Sequence, residues 1–160
     1  MKTLYLIRHG HAESKAKYPD ISRNLDEEGK EEVRATASKM KSGGILPALI
    51  LSSHANRAYQ TAEIVAETIG YKLANIHIEA DIYNTDTDIL EHVVSRQGNE
   101  YPSLLIAGHN PVISWFASSM GHEVKDMMPT AGLVAFEVDI ADWASFKPNK
   151  ARFLFHIFGS

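Results

Sequence analysis

The chain has 160 residues, 44% of them hydrophobic and 22% charged, with a formal net charge of −4 and no cysteine. That length suffices for a single domain over residues 1–160 with its own core, and the lack of cysteine excludes disulfides, thiolate zinc sites and cysteine nucleophiles. Mild acidity without a basic run gives no case for nucleic acid, and no apolar stretch is long enough for a signal peptide or a membrane span, so a cytoplasmic location with neither partner is expected.

Leu4 to Ile7 is a near-continuous apolar run with the character of a buried strand, and it ends abruptly in Arg8-His9-Gly10. The polar stretch from Glu13 to Asn24 contains Tyr18-Pro19-Asp20, which is turn chemistry. Asp26 is placed to cap a helix, with Glu27 and Glu28 in its first turn and an apolar stripe of Val33, Ala37 and Met40, ended by Gly43-Gly44. A second strand over Ala48 to Leu51 turns through Ser52-Ser53 into a helix. Ala58, Ala62, Val65, Ala66 and Ile69 share one of its faces, and Gly70 stands where a left-handed cap belongs.

A third strand is expected over Ala74 to Ile78. Asp86 then caps a helix carrying Ile89, Leu90, Val93 and Val94, stopped by Gly98. Ser103 to Ala107 is the most strand-like run in the chain, and Gly108-His109-Asn110-Pro111 follows directly. Asn110 as cap with Pro111 at the first helical position predicts a helix with Ile113, Phe116, Ala117 and Met120 inward and Gly121 at its end. Two late strands fit Leu133 to Val138 and Ala151 to Ile157. Alternating strands and helices predict an α/β fold with a mainly parallel sheet.

Three strand-to-helix junctions carry polar groups: Arg8-His9, then His54 with Arg57, then His109. In a parallel sheet such junctions lie on one edge and can converge. Guanidinium forks match phosphate oxygens, and a helix start at Asn110 would add backbone donors, so the charge pattern alone points to a phosphate-handling site.

These residues resemble the histidine phosphatases, the phosphoglycerate-mutase-like superfamily. Arg8-His9-Gly10 after a strand is similar to its signature. Arg23-Asn24-Leu25 resembles its arginine segment, Ser52 to Ala62 its serine, arginine-alanine and glutamine-threonine block, and Gly108-His109-Asn110 its second histidine. The resemblance implies a three-layer αβα sandwich and a metal-independent phosphatase without cofactor. In that chemistry His9 attacks phosphorus to form a phosphohistidine, while Arg8, Arg23, Arg57 and His109 neutralise the phosphoryl oxygens. Gly10 makes room for the ring or the ligand, and Asn110 is a further phosphate donor as well as a cap. Asp81 falls at the family's general-acid position.

Only a short helix separates the third and fourth strands, so no large cap insertion is expected. This compact layout is similar to the SixA-type phosphohistidine phosphatases. The implied partner is a phosphorylated substrate, a phosphohistidine-bearing signalling or phosphotransfer protein. The alternative is a small phosphomonoester or phosphoanhydride, and a remoter one is a phosphoprotein-binding module without turnover. A metal set of His9, His11, His54 and His109 is a competing reading, weakened by the cations beside it. Asp86-x-Asp88 resembles an aspartyl phosphatase pair but opens a helix instead of following a central strand. The roles of His11 and His54 stay open.

Overall fold

A computed structural model describes residues 1–122 and 127–159. Its sheet has six strands: β1 (Lys2–Arg8), β2 (Leu49–Ser52), β3 (His77–Ile78), β4 (Ser103–Gly108), β5 (Leu133–Val138) and β6 (Ala151–Ile157). They run in the order β3-β2-β4-β1-β5-β6. The first four are mutually parallel, whereas β5 and β6 are antiparallel additions on one side.

Both faces of the sheet are covered, which is why its strands read as unbroken apolar runs. Alternate side chains on β1 and β4 go opposite ways. Leu4, Leu6, Leu104 and Ile106 pack with α3 (Thr87–Ser95) and α4 (Val112–Ser119). Ile7, Leu105 and Ala107 pack with α1 (Glu27–Ser42) and α2 (Asn56–Ile69). The result is the expected three-layer αβα arrangement. Among the described residues no helix is long and apolar enough to cross a membrane.

Local chemistry sets most helix ends. The Asp26 side chain accepts from Gly29 N–H at 2.8 Å and Asp86 from Ile89 N–H at 2.8 Å, as side-chain caps do. Gly70 takes the left-handed conformation after α2, with φ 85°.

Three expectations need correction. The third strand is only His77–Ile78, because Leu73–Asn75 winds into a 3-10 turn and only two pairs reach β2. Ile89 on α3 is exposed and does not join Leu90, Val93 and Val94 in the core. Asn110 does not cap α4: its amide donates to Met128 O at 2.9 Å and its carbonyl oxygen accepts from Ser114 Oγ at 2.5 Å.

Candidate active site

The parallel strands bring the three polar junctions to one edge. Arg8 at the end of β1 pairs with Gly108 at the end of β4, and Ser52 at the end of β2 pairs with Ala107. His9, His109 and the Ser53-His54 turn therefore leave the sheet side by side. Arg57 arrives one residue into α2, and Arg23 arrives on the loop that folds back from Glu13. That fold-back is held by Glu13 N–H to Asn24 O at 2.9 Å and by Leu25 N–H to Gln60 Oε1 at 2.8 Å.

His9 is the centre of the cluster, 8% exposed. Its Nδ1 lies 2.7 Å from Gly10 O. A carbonyl only accepts, so Nδ1 carries the proton and Nε2 keeps its lone pair. That lone pair accepts from Arg57 Nε at 3.3 Å. Burial, helped by the Arg57, Arg8 and Arg23 charges and opposed by the hydrogen bond to Gly10 O, brings the His9 imidazole down to about 4. His9 is thus a neutral imidazole with one unprotonated nitrogen among cations, which is the form a nitrogen nucleophile needs.

His109 lies beside it, ring centroids 5.3 Å apart. Burial first, then His9 and Arg57, bring it down to about 3. Its Nε2 is 2.8 Å from Ser53 Oγ. Among the described residues, buried side-chain atoms without a partner are Arg8 Nε, Arg23 Nε, His109 Nδ1 and His122 Nδ1. Three of these four belong to this cluster. Buried polar groups left unpaired cost free energy unless a ligand supplies the partner, so their concentration here fits an anion-binding site.

Asp20 was not anticipated. It enters the cluster from the loop and accepts from Arg23 Nη2 at 2.9 Å, Arg57 Nη2 at 3.1 Å and the Tyr83 hydroxyl at 2.5 Å. The Tyr83 hydrogen bond, with Arg23 and Arg57, holds the Asp20 carboxyl well below the usual carboxylate range. Tyr83 also sets its ring edge-on to His109 at 5.5 Å and to the exposed His54 at 5.3 Å. A cavity of about 280 Å³ opens above the cluster, lined by Asp20, Arg57, Tyr83, His109, Asn110 and Pro111 among others.

Other expected residues fall elsewhere. Asp81 does not line the cavity: its carboxylate accepts from Arg96 Nη2 at 3.0 Å on the surface, and the chain turns so that Tyr83, two residues on, reaches inward. Gly10 makes room for α1 and not for a ligand. A Cβ there would lie 2.7 Å from Gly29 O and 2.9 Å from Val33 Cγ2, and its N–H is engaged by Thr61 Oγ1 at 3.1 Å. Arg8 points one Nη at Met128 O, 3.0 Å away, with its Nε unpaired. His11 turns to Asp26 and Glu28, so the four-histidine metal set is not assembled. Asp86 is occupied as a helix cap.

Comparison with known proteins matches the family model described as the histidine phosphatase superfamily (branch 1) to residues 4–127. The chain belongs to the histidine phosphatase superfamily. Among solved structures, it is 25% identical to a protein of Agrobacterium tumefaciens assigned as the phosphohistidine phosphatase SixA, with a TM-score of 0.84 and 99% of each chain covered. The protein histidine phosphatase SixA in complex with tungstate shares the fold at TM-score 0.81 and 21% identity, covering 98% of this chain and 96% of that one. A mycobacterial glucosyl-3-phosphoglycerate phosphatase matches at TM-score 0.67 and 16% identity, covering 96% and 97%. An uncharacterised chloroplast protein of Arabidopsis thaliana is 28% identical over 118 residues, 68% of this chain. The chain spans about half the length of that relative, 54%.

The depressed imidazoles make the stability of this superfamily member acid-sensitive. His9 and His109 take up protons near 6.5 when unfolded but only near about 4 and about 3 when folded. Between those values the unfolded chain binds more protons, so stability is full above about pH 7 and falls as pH is lowered through 6 toward 4. Asp20, also depressed, adds loss of the same sign further down. Urea unfolding at about pH 7.5 and about pH 4.5 is expected to give the lower midpoint at the acid value. Equal midpoints would contradict the burial of neutral imidazoles.

Proposed function

We propose that this protein is a phosphatase that hydrolyses a protein phosphohistidine through a phosphoryl intermediate on His9. In this reading His9 Nε2 attacks phosphorus as the substrate's imidazole nitrogen departs and takes up a proton, and water then cleaves the phospho-His9 bond to give inorganic phosphate. Gly10 O, already accepting from Nδ1–H at 2.7 Å, stabilises the positive charge that develops on the ring. Arg8, Arg23 and Arg57 hold the phosphoryl oxygens. Ser53 Oγ accepts from Ala55 N–H at 3.1 Å and gives its own proton to His109 Nε2, which leaves His109 Nδ1–H as a further donor.

The observation that carries the substrate class is the state of the carboxylates. Asp81 is paired with Arg96 outside the cavity, and Asp20, inside it, is held ionised by Tyr83 and two arginines. The described lining of the cavity thus holds no protonated carboxylic acid to give a poor alkoxide leaving group its proton. General acid catalysis is worth about 10²-fold or more to such a departure. An imidazole leaving from nitrogen–phosphorus cleavage needs far less help, since its nitrogen protonates near neutral pH. The SixA complex with tungstate supports an oxyanion in the corresponding fold.

Turnover of a phosphohistidine-bearing phosphotransfer protein, compared with aryl and sugar phosphates, tests this. The expected kcat/KM is higher for the phosphohistidine protein by about 10²-fold or more. A preference for sugar phosphates sinks the substrate class and leaves the phosphatase chemistry standing. Binding without any turnover would make the protein a phosphoprotein-binding module.

A further inference from the structure

Asp20 is placed where an anionic ligand would be. Its two carboxylate oxygens gather donors from three separate parts of the chain: Arg23 on the loop, Arg57 on α2 and Tyr83 after the 3-10 turn at Ala80–Ile82. Its backbone carbonyl takes a further Arg57 donor, Nη1, at 2.7 Å. Every nitrogen of the Arg57 guanidinium is therefore engaged, Nε by His9 Nε2 and both Nη atoms by Asp20. The Nε2 lone pair of His9 accepts from an arginine that a carboxylate holds in place.

Arg8 Nε, Arg23 Nε and His109 Nδ1 stand unpaired beside it. A phosphoryl group entering the cluster meets Arg57 with its Nε on His9 and one N–H of each Nη on Asp20, so that only the second N–H of each Nη is left to it. Two anions cannot share these donors cheaply, because unit charges about 4 Å apart near a protein surface repel by several kcal/mol. The Asp20 carboxylate also has solvent to swing into. Its side chain is 43% exposed, and the 3-10 turn that carries it, Asp20–Ser22, buries none of its residues. The loop is fastened at its base, at Glu13–Asn24 and Ala12–Leu25. The backbone of the turn is held to α2 by Asn56 Nδ2 to Ser22 O at 3.2 Å and Arg57 Nη1 to Asp20 O at 2.7 Å, so the motion asked of Asp20 is a rotation of its side chain.

We propose that Asp20 is an internal anion that holds the Arg23–Arg57 clamp in the empty protein, exchanges with the phosphoryl group when substrate binds, and returns to displace inorganic phosphate after hydrolysis. This rests on the phosphatase reading above. The exchange weakens phosphate binding by the fraction of molecules in which the clamp is occupied, and it speeds the release of product.

Inorganic phosphate is the probe, titrated calorimetrically into the wild-type protein and Asp20→Asn, with the phosphate inhibition constant measured in parallel. Asparagine keeps the shape and one acceptor but loses the charge. Asp20→Asn is expected to bind phosphate at least about fivefold more tightly, with a correspondingly lower inhibition constant. If Asp20 merely aims Arg57, the change has the opposite sign, so equal or weaker phosphate binding by Asp20→Asn overturns the exchange. Asp20→Ser, also uncharged, carries the same expectation and decides the matter where Asp20→Asn does not fold. A wild type that binds phosphate and turns over, beside variants that bind no tighter, sinks the exchange alone. A wild type that binds no phosphate sinks the phosphatase reading with it.

Discussion

His9→Ala is expected to lower phosphatase turnover by about 10⁴-fold or more while inorganic phosphate still binds. The asymmetry follows from the two jobs in the cluster. Three guanidiniums supply the attraction for an anion, and none of them is removed. What disappears is the nitrogen proposed to form the bond to phosphorus, which no neighbour replaces: His109 Nε2 is tied to Ser53, and its Nδ1 is the group assigned to donate. Because His9 Nδ1 gives its proton to Gly10 O, the intermediate should form on Nε2 and no other nitrogen. Rapid quenching with a ³²P-labelled substrate checks both points, reading an acid-labile, alkali-stable label on His9 in the wild type and none in His9→Ala. Near-normal turnover in His9→Ala, or a label on Nδ1, would end the mechanism. Loss of a single clamp donor such as Arg57 is a smaller event, costing about 10²- to 10³-fold.

The elements most legible in the sequence were those whose ends are set by local chemistry. Asp26 and Asp86 cap the helices they were expected to cap, Gly70 takes its left-handed turn, and β5 and β6 begin and end where their apolar runs do. Arg8, His9, Arg57 and His109 could be placed because parallel strands force their ends onto one edge. Errors came where distant partners decide. Asn110 has the composition of a cap, yet Met128 and Ser114 claim its side chain. Asp81 falls where the family resemblance implies a general acid, yet Arg96 draws it outward. Asp20 reads as a turn residue because its meaning lies in Arg57, 37 residues away, and Tyr83, 63 away. Its one sequence signal was an aspartate three residues before the loop arginine, a pair that a loop of undetermined conformation leaves uninterpretable.

The second large expectation concerns a residue that touches no ligand. Gly29→Ala should destabilise the fold by about 3 kcal/mol or more and lower kcat by about 10²-fold. Helix propensity taken alone argues the other way, since alanine in place of glycine within a helix gains about 1 kcal/mol. Contact decides the sign. A Cβ on Gly29 would sit 2.0 Å from His11 O and 2.8 Å from His11 N, both backbone atoms, so no side chain can swing aside to admit it. Relief requires the segment after β1 to lift off the first turn of α1 by about 1 Å, against Asp26 N–H to His11 O and His11 N–H to Glu32 Oε1. The same segment carries His9 and the Gly10 carbonyl that fixes its tautomer, and a misplacement of that size costs a reacting group about 10²-fold. Gly43→Ala is the control. It lies at the far end of the same helix, with 3.4 Å to its nearest neighbour, and should be nearly silent. Urea midpoints and kcat for both variants settle the case: a Gly29→Ala protein as stable and active as wild type would mean that the close approach of α1 to the end of β1 does not position His9 at all.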